Sequence, residues 1–413
     1  MKILVLAGGY DQIGLINELK GRGNEVILAD YFENPPAKKV ADKHFQISTL
    51  DIEAVKKLAI DEKVDLITTA CTDQALLTVA KVSEELSLPT YIDYEKALLV
   101  TNKKYMKEQF MKVGVPTAKC KVYSASEEFL ADIKNITFPS VVKPCDCNSS
   151  KGVTRVENEK ELREAVEIAF SLSRSHLVIV EDFIDGPEVS IDVWVDNEGA
   201  KVLSVSETDK IASSEDSFTI YKSKYPVNIS EKAFDNIKDI AKLIATGFEL
   251  NNCPVLIQAI VSGDDVYVIE FSARMGGGTK YKLIEYMSGV NIMKVYVDRV
   301  LGDCSQIVNP QPSEKVIELN YVYAYNGVFK ELVNFEECKL SGEIVDYYQY
   351  KESGAVIEKA KTSSDRVAGF LLIEDNYESM NKKRAHVLQK LDVLDEGKSS
   401  IMMKKIYGGN DNE

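Results

Sequence analysis

The stretch that decides the fold is Val255–Thr279, VLIQAIVSGDDVYVIEFSARMGGGT. Two apolar runs rich in β-branched residues flank a short glycine-containing segment, a pattern that predicts a β-hairpin. If Gly263–Asp265 form a three-residue loop, Ser262 faces Val266 across the hairpin. That register fixes which side chains of the two strands lie opposite each other on one face of the sheet.

Two polar side chains interrupt these apolar strands. The predicted register places Gln258 directly opposite Glu270, and the strands are so apolar that neither group is there for solubility. Arg274 and the run Gly276–Gly278 follow at once. Hard oxygen ligands suit Mg²⁺ and a guanidinium suits developing negative charge, so the pattern indicates a metal and phosphate site. The alternative is an edge hairpin with one incidental acid.

Length and charge exclude several classes of protein. A chain of 413 residues predicts two or three domains. Its net charge of −15 disfavours nucleic acid or an anionic membrane as a partner. The start MKILVLAGG reads as a first strand rather than a signal peptide, and no apolar run reaches the length of a membrane span. The seven cysteines are scattered, which predicts reduced thiols in the cytoplasm.

The N-terminal third has the pattern of a Rossmann-like unit. Lys2–Ala7 is a buried-strand pattern, Gly8 and Gly9 follow it, and a helical pattern leads to a second strand over Glu25–Asp30. Gly14 does not complete the GxGxxG spacing of a dinucleotide site. An NAD(P) dehydrogenase built on this unit is therefore a weak alternative.

A loop of small residues follows a lone lysine in the middle of the chain. The strand FPSVVKP carries Lys143 near its end, and Cys145–Val153, CDCNSSKGV, comes next. Small residues let backbone N–H groups approach phosphate oxygens, and Lys143 and Lys151 would add positive charge. The spacing excludes a GxxxxGKS P-loop. A flexible surface loop is the alternative.

The order of these motifs resembles the ATP-grasp superfamily of ATP-dependent carboxylate–amine ligases, with relatives such as biotin carboxylase, carbamoyl phosphate synthetase and the L-amino acid ligases. The resemblance covers about Lys103–Gly302 and includes VEDFIDGPEVSIDV and an E-x-x-x-R run. It implies an α/β and α+β fold. A Rossmann-like pre-ATP-grasp domain spans 1–95, and an ATP-grasp domain of two α+β subdomains sandwiching ATP spans 96–309. A small C-terminal α+β portion spans 310–413.

The resemblance also assigns roles to residues. Lys143 and Arg274 are implied as the catalytic cations, Arg274 beside the acyl phosphate. The implied metal ligands are Glu270, Gln258 and Ser272. Glu270 matches the acid that bridges Mg²⁺ ions. Gln258 stands where many members have Glu, which reduces ligand charge, and Ser272 replaces the usual Asn. The residues implied to contact ATP are Lys103, Lys143, Ser149, Ser150, Lys151, Gly152, Val153, Glu181, Asp182, Phe183, Ile184 and Glu188.

Substrate contacts are predicted from two polar stretches. Glu207–Ser230 has the composition of a mobile substrate loop, with Glu207 and Lys210 as candidates. The other candidates are the glycines after the arginine, Gly276, Gly277 and Gly278. The C-terminal portion would serve packing and dimerisation, or shape the amine or carboxylate pocket.

The implied activity is a two-step ligation with ATP and Mg²⁺, or Mn²⁺, as cofactors. A carboxylate attacks the γ-phosphate to give an acyl phosphate, and an amine then displaces phosphate. The expected partners are small-molecule substrates, not nucleic acid or membrane, for a cytoplasmic homodimer. The alternatives are a regulatory subunit that binds nucleotide without catalysis, and a carbamoyl-phosphate-synthetase-like or carboxylase-type enzyme of the same superfamily.

Overall fold

The computed structural model describes residues 1–147, 151–211, 218–303, 310–358, 360 and 362–407. Within these ranges no helix combines the length and apolar character that a membrane crossing requires. The described chain forms four sheets: two of four strands, one of eight and one of three. Short 3₁₀ turns occur at Pro36–Lys39, Ile133–Asn135, Ser363–Asp365 and Lys404–Tyr407.

The N-terminal unit is a parallel sheet flanked by helices. Its order is β3-β2-β1-β4, and the three pairings are parallel. Helices cover both faces, which explains why β1 and β2 are nearly continuous apolar runs. The elements are β1 (Lys2–Leu6), α1 (Tyr10–Gly21), β2 (Glu25–Asp30), β3 (Lys43–Gln46), α2 (Ile52–Glu62), β4 (Leu66–Thr68), α3 (Asp73–Glu85) and α4 (Tyr94–Thr101). The predicted Rossmann-like unit is therefore present.

The glycine turn after β1 is closed by the chain itself. The Asp30 carboxylate accepts hydrogen bonds from the backbone N–H groups of Gly8, at 2.6 Å, and Phe32, at 2.7 Å. A Cβ at Gly8 would lie 2.5 Å from the side chain of Pro35. The acid that would bind a ribose in a dinucleotide enzyme is therefore engaged in the turn, which counts against the NAD(P) alternative.

A small antiparallel sheet follows. Its order is β5-β8-β6-β7, and α7 packs on it. The elements are α5 (Lys103–Val113), β5 (Cys120–Tyr123), α6 (Ser126–Asp132), β6 (Ser140–Pro144), β7 (Thr154–Val156), α7 (Glu159–Leu172) and β8 (Val178–Asp182).

The central sheet has eight strands in the order β13-β12-β9-β10-β11-β14-β18-β16. Its elements up to residue 303 are β9 (Glu188–Asp196), β10 (Gly199–Lys210), β11 (Ile220–Tyr225), α8 (Glu231–Gly247), β12 (Cys253–Ser262), β13 (Asp265–Ser272), α9 (Lys280–Ser288) and α10 (Ile292–Val300). The later elements are β14 (Val316–Val322), β15 (Gly327–Val333), α11 (Phe335–Leu340), β16 (Asp346–Gln349), β17 (Val356–Ile357), β18 (Ala368–Glu374), α12 (Tyr377–Lys390) and β19 (Asp392–Asp395).

The C-terminal portion shares the hydrogen bonding of the central sheet. Strand β14 pairs with β11, and β18 and β16 extend the sheet further, while β17, β15 and β19 form a separate small sheet. A continuous sheet therefore crosses the predicted boundary between 96–309 and 310–413. Those domain limits remain predictions.

The hairpin register was predicted correctly at the site but for a wrong reason. Ser262 pairs with Asp265, so the loop has two residues rather than three. A register shift between Gln258 and Ala259 then adds one residue on β13 and restores the pairing of Gln258 with Glu270. The extra residue that sets this pairing therefore lies in a bulge of β13 and not in the loop.

The central sheet has one apolar and one polar face at this end. Alternate side chains such as Ile191, Ile257 and Phe271 are buried in a cluster with Phe110 of α5 and Ile240 of α8. Because strand side chains alternate, the intervening residues project from the opposite face. That opposite face bears the polar groups described below.

Candidate active site

A cavity of about 180 Å³ lies between the small sheet and the polar face of the central sheet. One side is formed by Lys143 and Glu181, the other by Gln258 and Glu270. The predicted site residues that line this cavity are Lys103, Lys143, Val153, Glu181, Asp182, Phe183, Ile184, Glu188, Lys210, Gln258 and Glu270. The tertiary fold thus collects residues from α5 to β13 around one space.

Two lysines flank Glu181 within the cavity. Lys143 contacts one carboxylate oxygen, and Lys107 Nζ lies 3.2 Å from the other. Burial would raise the pKa of Glu181, but the two ammonium groups lower it to about 2. Lys107 was missed by the sequence analysis. Its spacing of four residues from Lys103 on α5 was the available signal, because such residues share one helix face.

Glu270 is paired with a lysine from α5. Lys103 Nζ lies 2.9 Å from Glu270 Oε2 and also donates a hydrogen bond of 2.8 Å to the carbonyl oxygen of Cys147. Burial would raise the pKa of Glu270, but Lys103 and then Lys143 lower it below its ordinary value. The carboxylate is therefore ionised, and in this structure its cationic partner is Lys103.

Glu188 connects Gln258 to Lys210. Gln258 Nε2 donates to Glu188 Oε1 at 3.3 Å, and Lys210 Nζ lies 2.6 Å from Glu188 Oε2. The amide nitrogen of Gln258 is thus turned toward Glu188. The amide oxygen is left as the group that can face a cation.

Arg274 is held by a residue of the N-terminal unit. Its Nε donates to Asp73 Oδ1 at 2.7 Å, its Nη2 contacts Asp73 Oδ2, and its Nη1 donates to the Met275 carbonyl at 2.7 Å. Ser272 Oγ donates to the same Asp73 carboxylate at 2.5 Å. Ser272 is bonded to Asp73 and does not line the cavity. Its place among the metal ligands stays a prediction. No motif in the sequence indicated that Asp73 would contact Arg274.

The glycine run is tightly packed rather than flexible. The backbone N–H groups of Gly278 and Thr279 donate to Asp11 at 3.0 and 2.6 Å. Gly278 has φ +71°, and a Cβ there would collide with the guanidinium of Arg366. Asp11 and Arg366, neither of which the sequence analysis found, therefore bracket the run from the N-terminal and C-terminal sides.

Several predicted residues lie elsewhere. Glu207 pairs with Lys224 at 2.9 Å, away from the cavity. The described part of the predicted loop includes the end of β10 and the whole of β11. Gly152 packs against the side chains of Leu172 and Pro144. Neither Gly152 nor the exposed side chain of its neighbour in the predicted phosphate loop, Lys151, lines the cavity. Ser149 and Ser150 lie outside the described residues.

A family comparison bears on this site. Residues 136–282 match the sequence profile of the ATP-grasp domain. The chain contains an ATP-grasp domain. The match includes the small sheet from β6 onward, the hairpin, Arg274 and the glycine run. The ATP-grasp domain predicted from the motif order is therefore confirmed over these residues.

Comparisons with individual proteins and solved structures agree. The formate-dependent phosphoribosylglycinamide formyltransferase of Methanocaldococcus jannaschii is 28% identical over 280 residues, 66% of this chain and 70% of the relative. The L-amino acid ligase of Bacillus licheniformis has a TM-score of 0.78 at 21% identity, over 96% of this chain and 98% of that one. The biotin carboxylase domain dimer of Hydrogenobacter thermophilus 2-oxoglutarate carboxylase scores 0.79 at 15% identity, over 99% and 94%. The predicted α/β and α+β fold class is confirmed.

The donor set of this ATP-grasp protein is compatible with magnesium. No group of three or more His, Cys, Asp or Glu side chains capable of holding a metal ion occurs among the described residues. Mg²⁺, however, is commonly held by one or two carboxylates together with substrate phosphates and water. Glu270 and the amide oxygen of Gln258, paired across the hairpin beside the cavity, fit an ion shared with a nucleotide.

Proposed function

We propose that this ATP-grasp protein is an ATP-dependent carboxylate–amine ligase that works through an acyl phosphate and releases ADP and phosphate. The observation that carries the proposal is the cavity in which Lys103, Lys143 and Lys107 face Glu270 and Gln258. Three cations and one metal-binding pair around one space suit a polyphosphate. Phosphoryl transfer needs this kind of charge neutralisation more than covalent help.

The nucleotide would bind between the two sheets. Phe183 and Ile184 at the end of β8 offer apolar surface to adenine, Lys143 can bind the polyphosphate, and Glu188 offers a carboxylate to ribose hydroxyls. Because Glu181 lies between Lys107 and Lys143, the positive charge of that end of the cavity is partly neutralised before any ligand binds. This nearly neutral end of the cavity suits the uncharged adenine base, and the phosphate chain would extend from it toward the metal pair.

Glu270 and Gln258 would hold a magnesium ion, or manganese, which supplies charge neutralisation on the phosphate oxygens. Glu270 remains ionised because Lys103 and Lys143 lower its pKa. Arg274, fixed in orientation by Asp73, presents a guanidinium beyond the hairpin, where an acyl phosphate would carry negative charge. The residues of the chain thus bind and orient, and no side-chain nucleophile is required.

The second step needs an amine next to the acyl phosphate. The glycine run brings backbone close to this place, and Asp11 and Arg366 lie against it from opposite sides. Arg366 stacks on the Tyr321 ring at 3.6 Å, and its Nε has no hydrogen-bond partner in the described part of the chain. Small polar substrates, a carboxylate and an amine, suit charged groups of both signs beside the glycine run.

The proposal includes a cytoplasmic homodimer. The supporting features are the edge strand β16 of the central sheet and exposed apolar residues of the C-terminal portion, Tyr325, Leu340 and Val356. Edge strands and exposed apolar patches are common association surfaces. Light scattering at micromolar concentration is expected to give twice the chain mass, and a monomer would contradict this part of the proposal.

The function is tested by a phosphate-release screen of carboxylates against amines with Mg-ATP held constant. We expect release that depends on both substrates together. Binding of Mg-ATP by calorimetry without release for any pair would favour the regulatory subunit. A thermal shift with NADH and none with Mg-ATP would instead favour a dehydrogenase.

A further inference from the structure

The polar face of the central sheet is organised in rows that cross neighbouring strands. The register of β9, β12 and β13 defines three of them. In order along the strands they are Glu188 with Ile260, then Ser190 with Gln258 and Glu270, then Asp192 with Leu256 and Ser272. If the nucleotide lies as proposed, these rows follow it from the ribose through the metal to the acceptor.

Lys280 lies across the second and third rows. Its side chain comes from the first residue of α9, and its ammonium contacts Ser190 Oγ and lies 3.0 Å from Asp192 Oδ2. The residue is only 4% exposed and, like Ser190 and Asp192, is not among the residues that line the cavity, so its ammonium lies next to the lining residues Gln258 and Glu270 rather than in the open space. The proposed ligase function assigns no role to this buried ammonium group.

The position of Lys280 relative to the metal pair follows from the sheet. Ser190 pairs directly with Gln258 on the adjacent strand. Directly opposite side chains have Cβ atoms about 4.5–5.5 Å apart, and successive same-face rows are about 6.5–7 Å apart. The ammonium therefore lies beside Gln258 on the acceptor side, where the terminal phosphate of a nucleotide bound at Gln258 and Glu270 would meet a carboxylate.

We propose that Lys280 is a further catalytic residue, a fixed cation that contacts the transferred phosphoryl group of ATP. This rests on the proposed ligase function. Asp192 orients the ammonium and Ser190 holds it toward the row of Gln258 and Glu270, which would hold the magnesium ion. In the first step the carboxylate oxygen forms a bond to the γ-phosphorus, the bond to the β,γ-bridging oxygen breaks, and ADP leaves with that electron pair.

The row that carries Gln258 and Glu270 has few charged ligands, which gives a neighbouring lysine a role. In the row of Ser190, Gln258 and Glu270, the one carboxylate is Glu270, and Gln258 is neutral. Ser272 of the next row is hydrogen-bonded to Asp73. One carboxylate in this row binds a metal cation less strongly than two carboxylates would. The Lys280 ammonium, which α9 places between this row and the next, is a cation beside the metal pair that does not have to be recruited from solution.

The Lys280–Asp192 pair is also incomplete as a structural element. Asp192 Oδ2 accepts from Ser204 Oγ at 2.8 Å, but Asp192 Oδ1 is buried without a hydrogen-bond partner in the described part of the chain. Buried polar atoms are nearly always paired, so the free Asp192 Oδ1 is an acceptor that needs a donor, such as an amine or a metal-bound water brought in with the ligand. A buried ion pair is in itself weak evidence for a stabilising role.

The test compares two nucleotides in the variant Lys280→Met. Calorimetry with Mg²⁺ measures the affinity for the β,γ-imido analogue of ATP and for ADP, relative to the unmodified protein. A lost charge-assisted contact should weaken binding of the triphosphate at least about tenfold. ADP lacks the γ-phosphate, so its affinity should change by less than the error of the measurement. This readout needs no knowledge of the other substrates.

The control is Lys282→Met, two residues further along α9, where the ammonium lies over the Tyr281 ring at 5.7 Å from its centroid. Both nucleotides should bind it normally. If Lys280→Met is not folded by circular dichroism, Lys280→Gln removes the charge while keeping a hydrogen-bonding group. Equal weakening of both nucleotides, or of neither, would overturn the role of Lys280. Failure of the unmodified protein to bind either nucleotide would instead contradict the proposed function.

Discussion

The guanidinium of Arg274 is held in two hydrogen bonds by the carboxylate of Asp73, a residue 201 positions earlier in the chain. The pair joins the first turn of α3 in the N-terminal unit to the end of β13 in the ATP-grasp domain. Burial would lower the pKa of Arg274, but Asp73 raises it above its ordinary value, so the charge is permanent. The N-terminal unit therefore orients the arginine proposed for the acyl phosphate.

Asp73→Asn should lower the turnover number by about tenfold or more while Mg-ATP affinity stays within about twofold, because the guanidinium loses its orientation but the nucleotide contacts remain. Arg274→Lys should show the same division, since an ammonium cannot reproduce the planar fork. Steady-state phosphate release and calorimetry measure the two quantities. Loss of ATP affinity equal to the loss of turnover would contradict an action confined to the acyl phosphate.

Glu270→Gln should nearly abolish turnover with the fold intact, because the substitution keeps the volume and removes the charge that binds magnesium. Phosphate release against Mg²⁺ concentration is the measurement, with circular dichroism as the folding check. Glu207→Gln is the matched control, a carboxylate on β10 that is paired with Lys224 away from the cavity. A folded Glu270→Gln protein with normal turnover would leave the hairpin with only a structural role.

Gln258→Glu should retain turnover and move the Mg²⁺ dependence of phosphate release to lower concentrations, because a second carboxylate adds ligand charge. The gain should be modest, since the new carboxylate would face Glu188, which now accepts from the Gln258 amide at 3.3 Å. The measurement is the same magnesium titration. A higher Mg²⁺ requirement would mean that the amide oxygen, not the charge, matters at this position.

Lys143→Ala should weaken Mg-ATP binding by roughly 1.5–3 kcal/mol, the range for a hydrogen bond to a charged group. It should also leave Glu181 with Lys107 as its remaining close cation. Calorimetry with Mg-ATP checks the prediction. Lys121→Ala serves as control, because its ammonium pairs with Asp132 on the surface of the same sheet. Unchanged affinity in Lys143→Ala would show that this lysine does not contact phosphate.

The stability of the protein should fall in acid because of Glu181. Its pKa is about 2 in the folded protein against an ordinary 4.5, so its ionised form stabilises the fold above pH 4.5. That contribution, at most about 3 kcal/mol, is lost as the pH falls from 4.5 toward 2. Urea unfolding at a series of pH values measures it. Glu181→Gln should flatten this dependence, and an unchanged slope would contradict the assignment.

Local patterns in the sequence were enough to predict much of the fold. Alternating and continuous apolar runs predicted the parallel N-terminal sheet and the β12–β13 hairpin, because the spacing of apolar residues along a strand reflects which of its faces are buried. The order of short motifs predicted the ATP-grasp domain. The pairing of Gln258 with Glu270 also came from the sequence, although a bulge and a two-residue loop replaced the assumed three-residue loop.

Tertiary structure alone decided which polar groups meet. Contacts between distant segments decide where the polar groups of the site lie. Asp73 binds the Ser272 hydroxyl and anchors Arg274. Asp11 binds the glycine run, and Ser190 contacts the Lys280 ammonium. A local pattern carries no information about such partners. Hydrogen bonds across domains are set by how whole sheets and helices pack, and a polar residue acquires its role only when that packing selects its neighbour.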